Sequence, residues 1–552
     1  MDIIGRINKY LILIVVLASF LRLLSLSKFP VGFTADEASF GYDAYSILKT
    51  GKDQWGSSFP LALRSFGDFK LPLYTYLAIP GVAVFGLNEF AVRLPGAILG
   101  ILAIISTYFL VKEFFKDKKL ALLAALFLAI SPWHISLSRG AFEANLTTFF
   151  LTTGILFFLK GLEKRLFLIP SALILGLNLF SYHSARPITS LFALIIVLLN
   201  WKKLIAKPKS LIVPSIIWGI FLFLAFFTLL KGGGSRSADV AIFNPTDNWQ
   251  AVSQERYESI ELGLPNSVAR LFSNKITYTL KQFTQNYLTY VSPNFLFLQG
   301  AGEGTYGMLP GTGVLYIVEI VFIIAALAKL VKEKDKKVGL ILGWIFLGLI
   351  PASLSKGSGY AANRAAIIMP ALQIFSAYGF LALTDFLGNL KISKSVIQIG
   401  LLLLLALSLL GFLKSYLYNA PNQMASSMNY GWKQTMDFVG KIQNNYREII
   451  ISRRFSEPQI FVEFYLKEYP SLVQKESVDW MRYEEKGLPF VDQLGKYKLG
   501  KYTISDLNYR EKEGLENTLL IGKPEDFPEG VKNIFSVNPA FGKPLIWVVE
   551  GK

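Results

Sequence analysis

Residues 8–26, NKYLILIVVLASFLRLLSL, form an apolar segment with a basic N-terminal flank. The segment is close to the length of about 20 residues that crosses a bilayer. Because no clear small-residue cleavage site follows it, we expect an uncleaved first span rather than a signal peptide. The stretch FTADEASFGYDAYSILKTGKDQWG then begins at Phe33 and carries two adjacent carboxylates, Asp36 and Glu37. These acids therefore stand just outside a predicted membrane span.

Ten more apolar segments follow along the 552-residue chain. Only 17% of the residues are charged, compared with roughly 25% in soluble domains. The sequence therefore predicts a mainly α, polytopic membrane protein with about 11 transmembrane helices plus interfacial helices. The ten segments lie at approximately 91–111, 120–138, 145–160, 165–182, 186–200, 211–230, 312–331, 338–355, 364–384 and 396–415.

The charges of the loops predict the orientation. Every second loop is short and carries two to five Lys or Arg residues, as in KEFFKDKK, WKKLIAKPK and KLVKEKDKK. By the positive-inside rule these loops and the N-terminus face the cytoplasm, which predicts a multi-pass protein of the cytoplasmic (plasma) membrane. The opposite face then carries the long loops 27–90 and 231–311 and the tail 416–552.

Two stretches of the external loops carry local predictions. LPLYTYLAIPGVAVFGL (71–87) contains Pro72 and Pro80, so we expect an interfacial helix rather than a span. KGGGSRSAD (231–239) is typical of a flexible external loop.

The tail has the composition of a soluble unit. REIIISRRF, NTLLIGKPEDF and PLIWVVEGK are typical of strands, and EPQIFVEFYLKEY is typical of an amphipathic helix. We therefore predict two domains: residues 1–415 as the transmembrane catalytic domain and residues 416–552 as a small extracytoplasmic α/β domain.

Composition also excludes several function classes. The net charge of +17 follows from basic cytoplasmic loops, so we predict no nucleic-acid partner. The chain has no cysteine, which excludes disulfides and thiolate chemistry. Its only two histidines, His134 and His183, argue against a His-rich metal site.

Thr34-Ala35-Asp36-Glu37 has two interpretations. It matches the capping box that starts a helix, here one ending near Gly51. It also places two acids at the outer membrane surface, where they could do chemistry. Glu37 is the better candidate for capping and Asp36 for catalysis.

Four further groups of polar residues fall on the same predicted face. RSFGDFKLPLYTY (64–76) brings Arg64, Asp68 and Lys70 into one loop, where Lys70 is either a membrane anchor or a cation for a phosphate. SRGAFEANL (138–146) places Glu143 at the start of a span, where an acid is costly unless it faces a cavity or pairs with Arg139.

The last two groups lie at the starts of later spans. SYHSARPI (181–188) contributes Tyr182, His183 and Arg186, and GYAANRAAIIMP (359–370) contributes Arg364. Acids and cations gathered on one membrane face suggest a site for two substrates. One is anionic and linked to a lipid, and the other carries a proton that is removed in the reaction. Cations would stabilise a leaving phosphate, and a carboxylate would take the proton of a hydroxyl acceptor.

At these motifs the sequence resembles the GT-C membrane glycosyltransferases, in particular the bacterial protein O-mannosyltransferase and aminoarabinose transferase superfamily (glycosyltransferase family 39-like). The order, spacing and topology of five pieces within the first 190 residues agree with this family. The pieces are ADEASFGYDAYS (35–46), FGDFKLPLYTYL (66–77), FGLNEFAVRLPGAILG (85–100), SPWHISLSRGAFEANL (131–146) and SYHSARP (181–187).

The resemblance implies inverting sugar transfer from a polyprenyl-phosphate sugar donor at the external face. It implies Asp36 as the catalytic base with Glu37 beside it, and Lys70 as a phosphate ligand, although the chain has Lys-Leu-Pro-Leu where relatives often have Lys-Pro-Pro-Leu. It implies a site acid at Glu143. Arg186 and Arg364 are extrapolated from their location.

The resemblance implies no required metal, although the acids could support a divalent ion. The partners it implies are membrane lipids, the donor, and a protein or glycan/lipid acceptor. Three other functions stay open at this point. The protein could be a transporter or flippase for a lipid-linked sugar, a polymerase or ligase of surface polysaccharide, or a non-catalytic scaffold.

Overall fold

A computed structural model describes residues 9–230, 241–243, 245–301, 304–356, 361–389, 392–507, 509 and 516–551. The described chain is mainly helical. The α-helices up to residue 230 are α1 (Lys9–Leu23), α2 (Ala35–Thr50), α3 (Leu73–Phe85), α4 (Glu89–Phe115), α5 (Lys118–Ile130), α6 (Pro132–Ser138), α7 (Leu146–Glu163), α8 (Leu168–Asn178), α9 (Ala185–Leu199), α10 (Trp201–Ile205) and α11 (Ile212–Thr228). The later α-helices are Pro245–Glu261, Asn266–Phe272, Lys275–Val291, Glu319–Glu333, Lys336–Gly348, Ile350–Ser353, Ala362–Ala365, Ala371–Gly388, Lys394–Lys414, Ala420–Gln423, Trp432–Ile442, Gln459–Tyr465, Pro470–Trp480 and Arg482–Glu485.

Six helical stretches of the described residues are long and apolar enough to cross a membrane. A seventh is formed if α5 and α6, which meet at a bend of 59°, act as one span. Helices occur in all eleven predicted segments, but some, such as α9, are shorter than a full span. The chain is thus a mainly helical, multi-pass membrane protein, and the number of eleven spans stays a prediction. The six stretches are Glu89–Phe115, Glu143–Glu163, Pro208–Thr228, Lys336–Ser353, Ala371–Gly388 and Lys394–Gln423.

The proline-containing segment 71–87 folds as α3, a helix of 13 residues with Pro80 inside it. At 1.5 Å per residue this helix is about 20 Å long, which is shorter than the hydrocarbon core of a bilayer. Its length agrees with the predicted interfacial helix.

The described residues of the long segment 231–311 form the α-helices Pro245–Glu261, Asn266–Phe272 and Lys275–Val291. The glycine-rich loop predicted at 231–239 lies outside the described residues.

The tail contains a six-stranded mixed sheet, formed by β3 (Glu448–Ser452), β4 (Tyr497–Leu499), β5 (Tyr502–Ser505), β6 (Thr518–Gly522), β7 (Phe535–Val537) and β8 (Ile546–Glu550). The strand order is β4-β5-β3-β6-β8-β7. Its central strand, β3, is parallel to both neighbours, β5 and β6. The four elements predicted from the sequence are present as β3, β6, β8 and the helix Gln459–Tyr465, whereas the other three strands were missed.

The tail packs directly on α2. The rings of Phe33 and Phe464 are 4.8 Å apart, and those of Trp55 and Trp480 are 5.9 Å apart. Gly41 permits this approach, because a Cβ there would lie 2.7 Å from the ring of Phe464. The two predicted domains therefore share one hydrophobic core, and α2 lies between the apolar helices and the tail. The boundary at residue 415 stays a prediction.

Candidate functional site

The start of α2 is built by the predicted capping box. The backbone N–H of Glu37 donates to Thr34 Oγ1 (3.2 Å), and the backbone N–H of Thr34 donates to Glu37 Oε2 (3.1 Å). The helix ends at Gly51, which adopts a positive φ of 70° that favours glycine. The sequence therefore predicted both ends of this helix correctly.

Glu37 also forms a fully buried ion pair with Arg93 of α4. Arg93 Nε and Nη2 donate to the two carboxylate oxygens at 2.8 and 3.2 Å, and both side chains are 0% exposed. The backbone N–H of Ala141 also donates to Glu37 Oε1 (3.0 Å). Glu37 thus points into the protein interior, where its carboxylate links α2 to α4 and to the turn after α6 through hydrogen bonds.

Arg93 extends this framework to the loop before α2. Its guanidinium donates to the backbone oxygens of Leu26, Pro30 and Gly32 at 3.3, 3.0 and 2.7 Å. Arg93 was not among the site residues predicted from the sequence. A signal was present, because a lone arginine in an apolar helix is costly without a buried partner.

Asp36 points the other way and pairs with Lys70. Asp36 Oδ1 lies 2.6 Å from Lys70 Nζ, and Lys70 is 4% exposed whereas Asp36 is 36% exposed. The ammonium also lies 5.0 Å from the centre of the Phe40 ring, one turn further along α2. The structure therefore joins two residues that the sequence analysis had placed in separate groups. We name them the Asp36–Lys70 pair.

Lys70 is held by a short hairpin, β1 (Leu63–Arg64) and β2 (Phe69–Lys70), in which Leu63 is paired with Lys70. Burial acts to lower the pKa of Lys70, but the carboxylates of Asp36, Asp68 and Glu457 outweigh it and raise this pKa. The charged form of Lys70 is therefore favoured by the acids beside it.

Glu457 is an acid that the sequence analysis did not single out. It lies between β3 and the helix Gln459–Tyr465, and its backbone N–H donates to Asp492 Oδ2 (2.9 Å). Burial and the nearby carboxylates of Asp36, Asp492 and Asp68 raise the pKa of Glu457 to about 8, although Lys70 opposes them. A signal was present here too, since loops after the carboxyl ends of parallel strands often carry site residues.

Arg64 and Asp68 occupy the same hairpin but differ in their surroundings. Arg64 forms an ion pair with Glu484 of the tail, and its guanidinium lies 5.2 Å from the Phe69 ring centre. Asp68 lies in the turn, where its backbone oxygen accepts from Ser65 N (2.7 Å), and its charge acts on Lys70. Asp68 therefore contributes to the raised pKa of Lys70, and Arg64 connects the hairpin to the tail.

Four other predicted residues line one cavity of about 560 Å³: Tyr182, His183, Arg186 and Arg364. We name it the basic cavity. Its wall is largely apolar, with Leu222 and Phe226 of α11 among the lining residues. Sequence reasoning missed Tyr306 and Asn363, which also line it.

Arg186 is held by two hydrogen bonds and retains donor capacity. Its Nε donates to the oxygen of Leu179 (2.9 Å) and its Nη2 to Thr228 Oγ1 (2.8 Å). Its buried Nη1 has no hydrogen-bond partner among the described residues. A buried guanidinium nitrogen without a partner is costly unless a ligand satisfies it.

The basic cavity is connected to the Asp36–Lys70 pair through β2. His183 Nε2 lies 3.1 Å from the backbone oxygen of Phe69, the residue before Lys70. Glu143 begins a 3-10 turn, Glu143–Asn145, that packs on the helix carrying Arg364. The structure thus gathers most of the predicted polar groups into one region, with no group of three Asp, Glu or His close enough to hold a metal within the described ranges.

Comparison with known proteins supports the predicted resemblance. Residues 70–230 match the model of the dolichyl-phosphate-mannose-protein mannosyltransferase family. This range contains Lys70, Glu143, Tyr182, His183 and Arg186. A comparison with curated protein sequences gave no significant match.

The fold is similar to that of ArnT from Cupriavidus metallidurans. The apo structure of that protein is 12% identical, with a TM-score of 0.54 and coverage of 98% of this chain and 97% of that chain. The structure bound to undecaprenyl phosphate is 13% identical, with a TM-score of 0.54 and coverage of 98% of both chains. The oligosaccharyltransferase AglB from Archaeoglobus fulgidus is 17% identical over 84% of this chain and 60% of that chain, with a TM-score of 0.46. The resemblance to GT-C family glycosyltransferases is confirmed by the family match and the ArnT-like fold together.

Proposed function

We propose that this chain is an integral-membrane inverting glycosyltransferase that moves a sugar from a polyprenyl-phosphate-linked donor to an acceptor hydroxyl on the extracytoplasmic face. The observation that carries the proposal is the Asp36–Lys70 pair, joined through β2 to a cavity that holds arginines and an apolar wall. The family match over residues 70–230 and the undecaprenyl phosphate bound to ArnT, which has a similar fold, support the donor class.

The basic cavity suits an anionic lipid. Its apolar wall would contact the prenyl chain, and the unpartnered Nη1 of Arg186 would donate to the phosphate. Arg364 and His183 line the same cavity and would add donors. Lys70 would stabilise the charge that develops on the phosphate as the sugar leaves, since fixed cations aimed at a developing anion lower the barrier.

In this mechanism Asp36 acts as the general base. In the reaction, a bond forms between the acceptor oxygen and the anomeric carbon, and the bond from that carbon to the phosphate oxygen breaks. The hydroxyl proton passes to Asp36, and the polyprenyl phosphate leaves with the electron pair. Direct displacement inverts the anomeric centre and needs no covalent intermediate, because a phosphate is already a good leaving group.

Glu37 has a positioning role in this proposal rather than a catalytic one. Its carboxylate is fully buried and bonded to Arg93, so it has no path to an acceptor hydroxyl. The proposal requires no metal. The acceptor is a protein or glycan/lipid hydroxyl at the face that the tail covers.

Reconstituted transfer tests the proposal. The purified protein in lipid nanodiscs, given a polyprenyl-phosphate sugar and membrane extract as acceptor, should release polyprenyl phosphate and label the extract. Asp36→Asn should lower turnover by about 10²–10⁴-fold, the usual contribution of a positioned general base. The matched control is Asp385→Asn, an exposed acid paired with Lys394 at 2.6 Å.

Two results would overturn the assignment. Full transfer by Asp36→Asn would remove Asp36 as the base. Movement of the lipid-linked sugar across the bilayer without consumption of the donor would favour a flippase instead.

A further inference from the structure

A second cavity, of about 670 Å³, lies in the tail at one end of its sheet. Arg454 and Lys523 line it, and they follow the carboxyl ends of β3 and β6, which are parallel neighbours. From β3 the chain continues to β4 and β5 at one edge of the sheet, and from β6 to β7 and β8 at the other. Ligands of open sheets bind in the crevice where the connections of two parallel neighbours diverge in this way. We name this cavity the sheet-end cleft.

The floor of the sheet-end cleft is aromatic and rigid. Trp432 lines it and is 2% exposed, with its ring 4.8 Å from that of Phe461 and 5.0 Å from that of Phe455. Tyr430 lines the same cleft and is half-buried. Lys523 Nζ lies 5.7 Å from the centre of the Phe455 ring. The cleft thus offers an aromatic face, against which the C–H groups of a sugar ring pack well.

The rim of the cleft supplies both donors and acceptors of hydrogen bonds. Arg454 Nη1 lies 3.2 Å from Oδ1 of Asp526, an acid that is only 4% exposed, so the guanidinium has a fixed place. The Arg454 side chain is 58% exposed, and its other N–H groups can meet a ligand. Glu525 adds a carboxylate. Hydroxyl and amide groups, which both donate and accept, come from Ser426, Asn429 and Ser456.

The charges of the cleft favour a neutral ligand. The charge of Arg454 is balanced by Asp526, and that of Lys523 is matched by Glu525 in the same lining. An anion would meet the like charge of Glu525, whereas sugar hydroxyls donate and accept equally well. A peptide bound as an extra strand needs an exposed sheet edge, but this cleft lies at the ends of the inner strands β3 and β6.

One wall of the cleft is bonded to the segment that leads to Asp36. Residues 426–430 form this wall, and within it the oxygen of Met428 accepts from the backbone N–H of Phe33 (2.7 Å). A Cβ on Gly32 would lie 2.1 Å from the same oxygen, so the two segments are in direct contact. Phe33 precedes Asp36 by three residues. The cleft is therefore fixed relative to the start of α2.

The tail is also bonded to the hairpin that carries Lys70. The backbone N–H of Val491 donates to the oxygen of Phe66 (2.9 Å). Gly67 has no space for a side chain, because a Cβ would lie 2.3 Å from the Phe490 ring. The tail is thus attached beside both members of the Asp36–Lys70 pair, and a ligand held by the tail has a defined position relative to that pair.

We propose that the sheet-end cleft binds a neutral oligosaccharide and that this glycan is the acceptor of the reaction. The inference rests on the proposed function, because it names the class of that acceptor. The volume of the cleft is in the range of about 300–1,000 Å³ that small-molecule sites have. A sugar ring packs on Tyr430, and its hydroxyl groups bond to Arg454 and Glu525. A hydroxyl oxygen of the glycan forms the bond to the anomeric carbon as the polyprenyl phosphate leaves, and its proton passes to Asp36.

The test measures binding of neutral tetrasaccharides to the full-length protein in nanodiscs. Four probes, built from glucose, mannose, galactose or N-acetylglucosamine, are titrated by saturation-transfer NMR, and at least one should bind. Tyr430→Leu keeps an apolar side chain but removes the aromatic face, and Glu525→Ala removes the carboxylate. Each should weaken the affinity by about tenfold, since each removes one well-placed contact.

A third variant avoids any change of the backbone. Asn429 has a φ of 51°, a value that glycine adopts freely, so Asn429→Gly removes the amide and keeps the turn. It should also weaken binding by about tenfold. The matched controls are Tyr469→Leu and Glu529→Ala, exposed residues of the same tail outside the cleft, and both should bind as the wild type does.

Transfer to the bound tetrasaccharide gives a second readout. The three cleft variants should raise the KM for this acceptor by about tenfold and leave kcat and the donor KM unchanged, because they remove acceptor binding alone. A fall in kcat without a change in the acceptor KM would overturn the inference.

Binding and transfer separate the two proposals. Failure of all four tetrasaccharides to bind, or equal affinity in the wild type and the three cleft variants, would overturn the inference. Label found only on proteins, with no tetrasaccharide bound, would overturn it and keep the glycosyltransferase. Binding that depends on Tyr430 and Glu525 without any sugar transfer would reject the glycosyltransferase and keep the cleft as a glycan site.

Discussion

Replacing Glu37 with glutamine separates a positioning role from a catalytic one. The substitution keeps the shape of the side chain but removes the charge that balances Arg93. In the structure both groups are 0% exposed and joined by two hydrogen bonds, at 2.8 and 3.2 Å. The guanidinium would stay buried without its counter-ion.

The expected cost follows from this geometry. Removing one partner of a fully buried, hydrogen-bonded ion pair destabilises a protein by about 3–5 kcal/mol. Glu37→Gln keeps one acceptor oxygen, which can serve the N–H of Ala141 or that of Thr34 but not both, so we expect at least about 3 kcal/mol, and Glu37→Ala should reach the upper end. Both variants should lose transfer in proportion to the fraction that is unfolded or has a displaced α2.

The assay is unfolding of the purified protein by SDS in mixed micelles, followed by far-UV circular dichroism. Arg93→Met and the double variant complete a double-mutant cycle, for which we expect a coupling of about 2–3 kcal/mol. The double variant should not recover fully, because three carbonyl groups lose Arg93 as a donor. The control is Asp385→Asn, which breaks an exposed ion pair with Lys394. It should change the free energy of unfolding by less than about 1 kcal/mol.

One result would refute the reasoning. If Glu37→Gln unfolds within 1 kcal/mol of the wild type and still abolishes transfer, Glu37 contributes to the chemistry itself and the buried pair with Arg93 is not what holds α2.

Three further outcomes follow from the site. Lys70→Ala should lower kcat by about 10²–10³-fold in the nanodisc transfer assay, because the cation that stabilises the developing charge on the phosphate is lost; an unchanged KM and turnover would remove its phosphate role. Arg186→Met should weaken undecaprenyl phosphate binding by about tenfold in calorimetry, with little change in kcat at saturating donor, and equal affinity would show that the free Nη1 has no ligand. Gly67→Val should force Phe490 away and destabilise the protein by about 1–3 kcal/mol; hydrogen exchange at the Val491 amide should become faster, and protection equal to that of the wild type would contradict this packing.

Local patterns predicted much of the site. The capping box at Thr34 and Glu37 is present, and the residues Tyr182, His183, Arg186 and Arg364, chosen for their place at the starts of spans, line one cavity. The capping prediction is confirmed because capping depends on neighbours in the chain, whereas the substrate-binding roles of the four cavity residues stay predictions.

Contacts between distant segments could not be predicted in the same way. Arg93 is 56 residues from Glu37 in the sequence. The hydrogen bond from the N–H of Val491 to the oxygen of Phe66 joins the hairpin to the tail, which is more distant still. Glu457 was missed because its significance depends on how the sheet of the tail packs on α2. The assignment of Arg64 to substrate binding stays a prediction, and the structure shows its partner to be Glu484.

The sequence by itself determined that this chain is a multi-pass, mainly helical protein with an acid pair at the start of a helix and cations in nearby loops. Only the tertiary structure decided how the two acids divide their roles. Consecutive residues of a helix project about 100° apart, so Asp36 and Glu37 cannot face the same partner. Because α4 places Arg93 on one side of α2 and the hairpin places Lys70 on the other, Glu37 is buried and Asp36 faces the site.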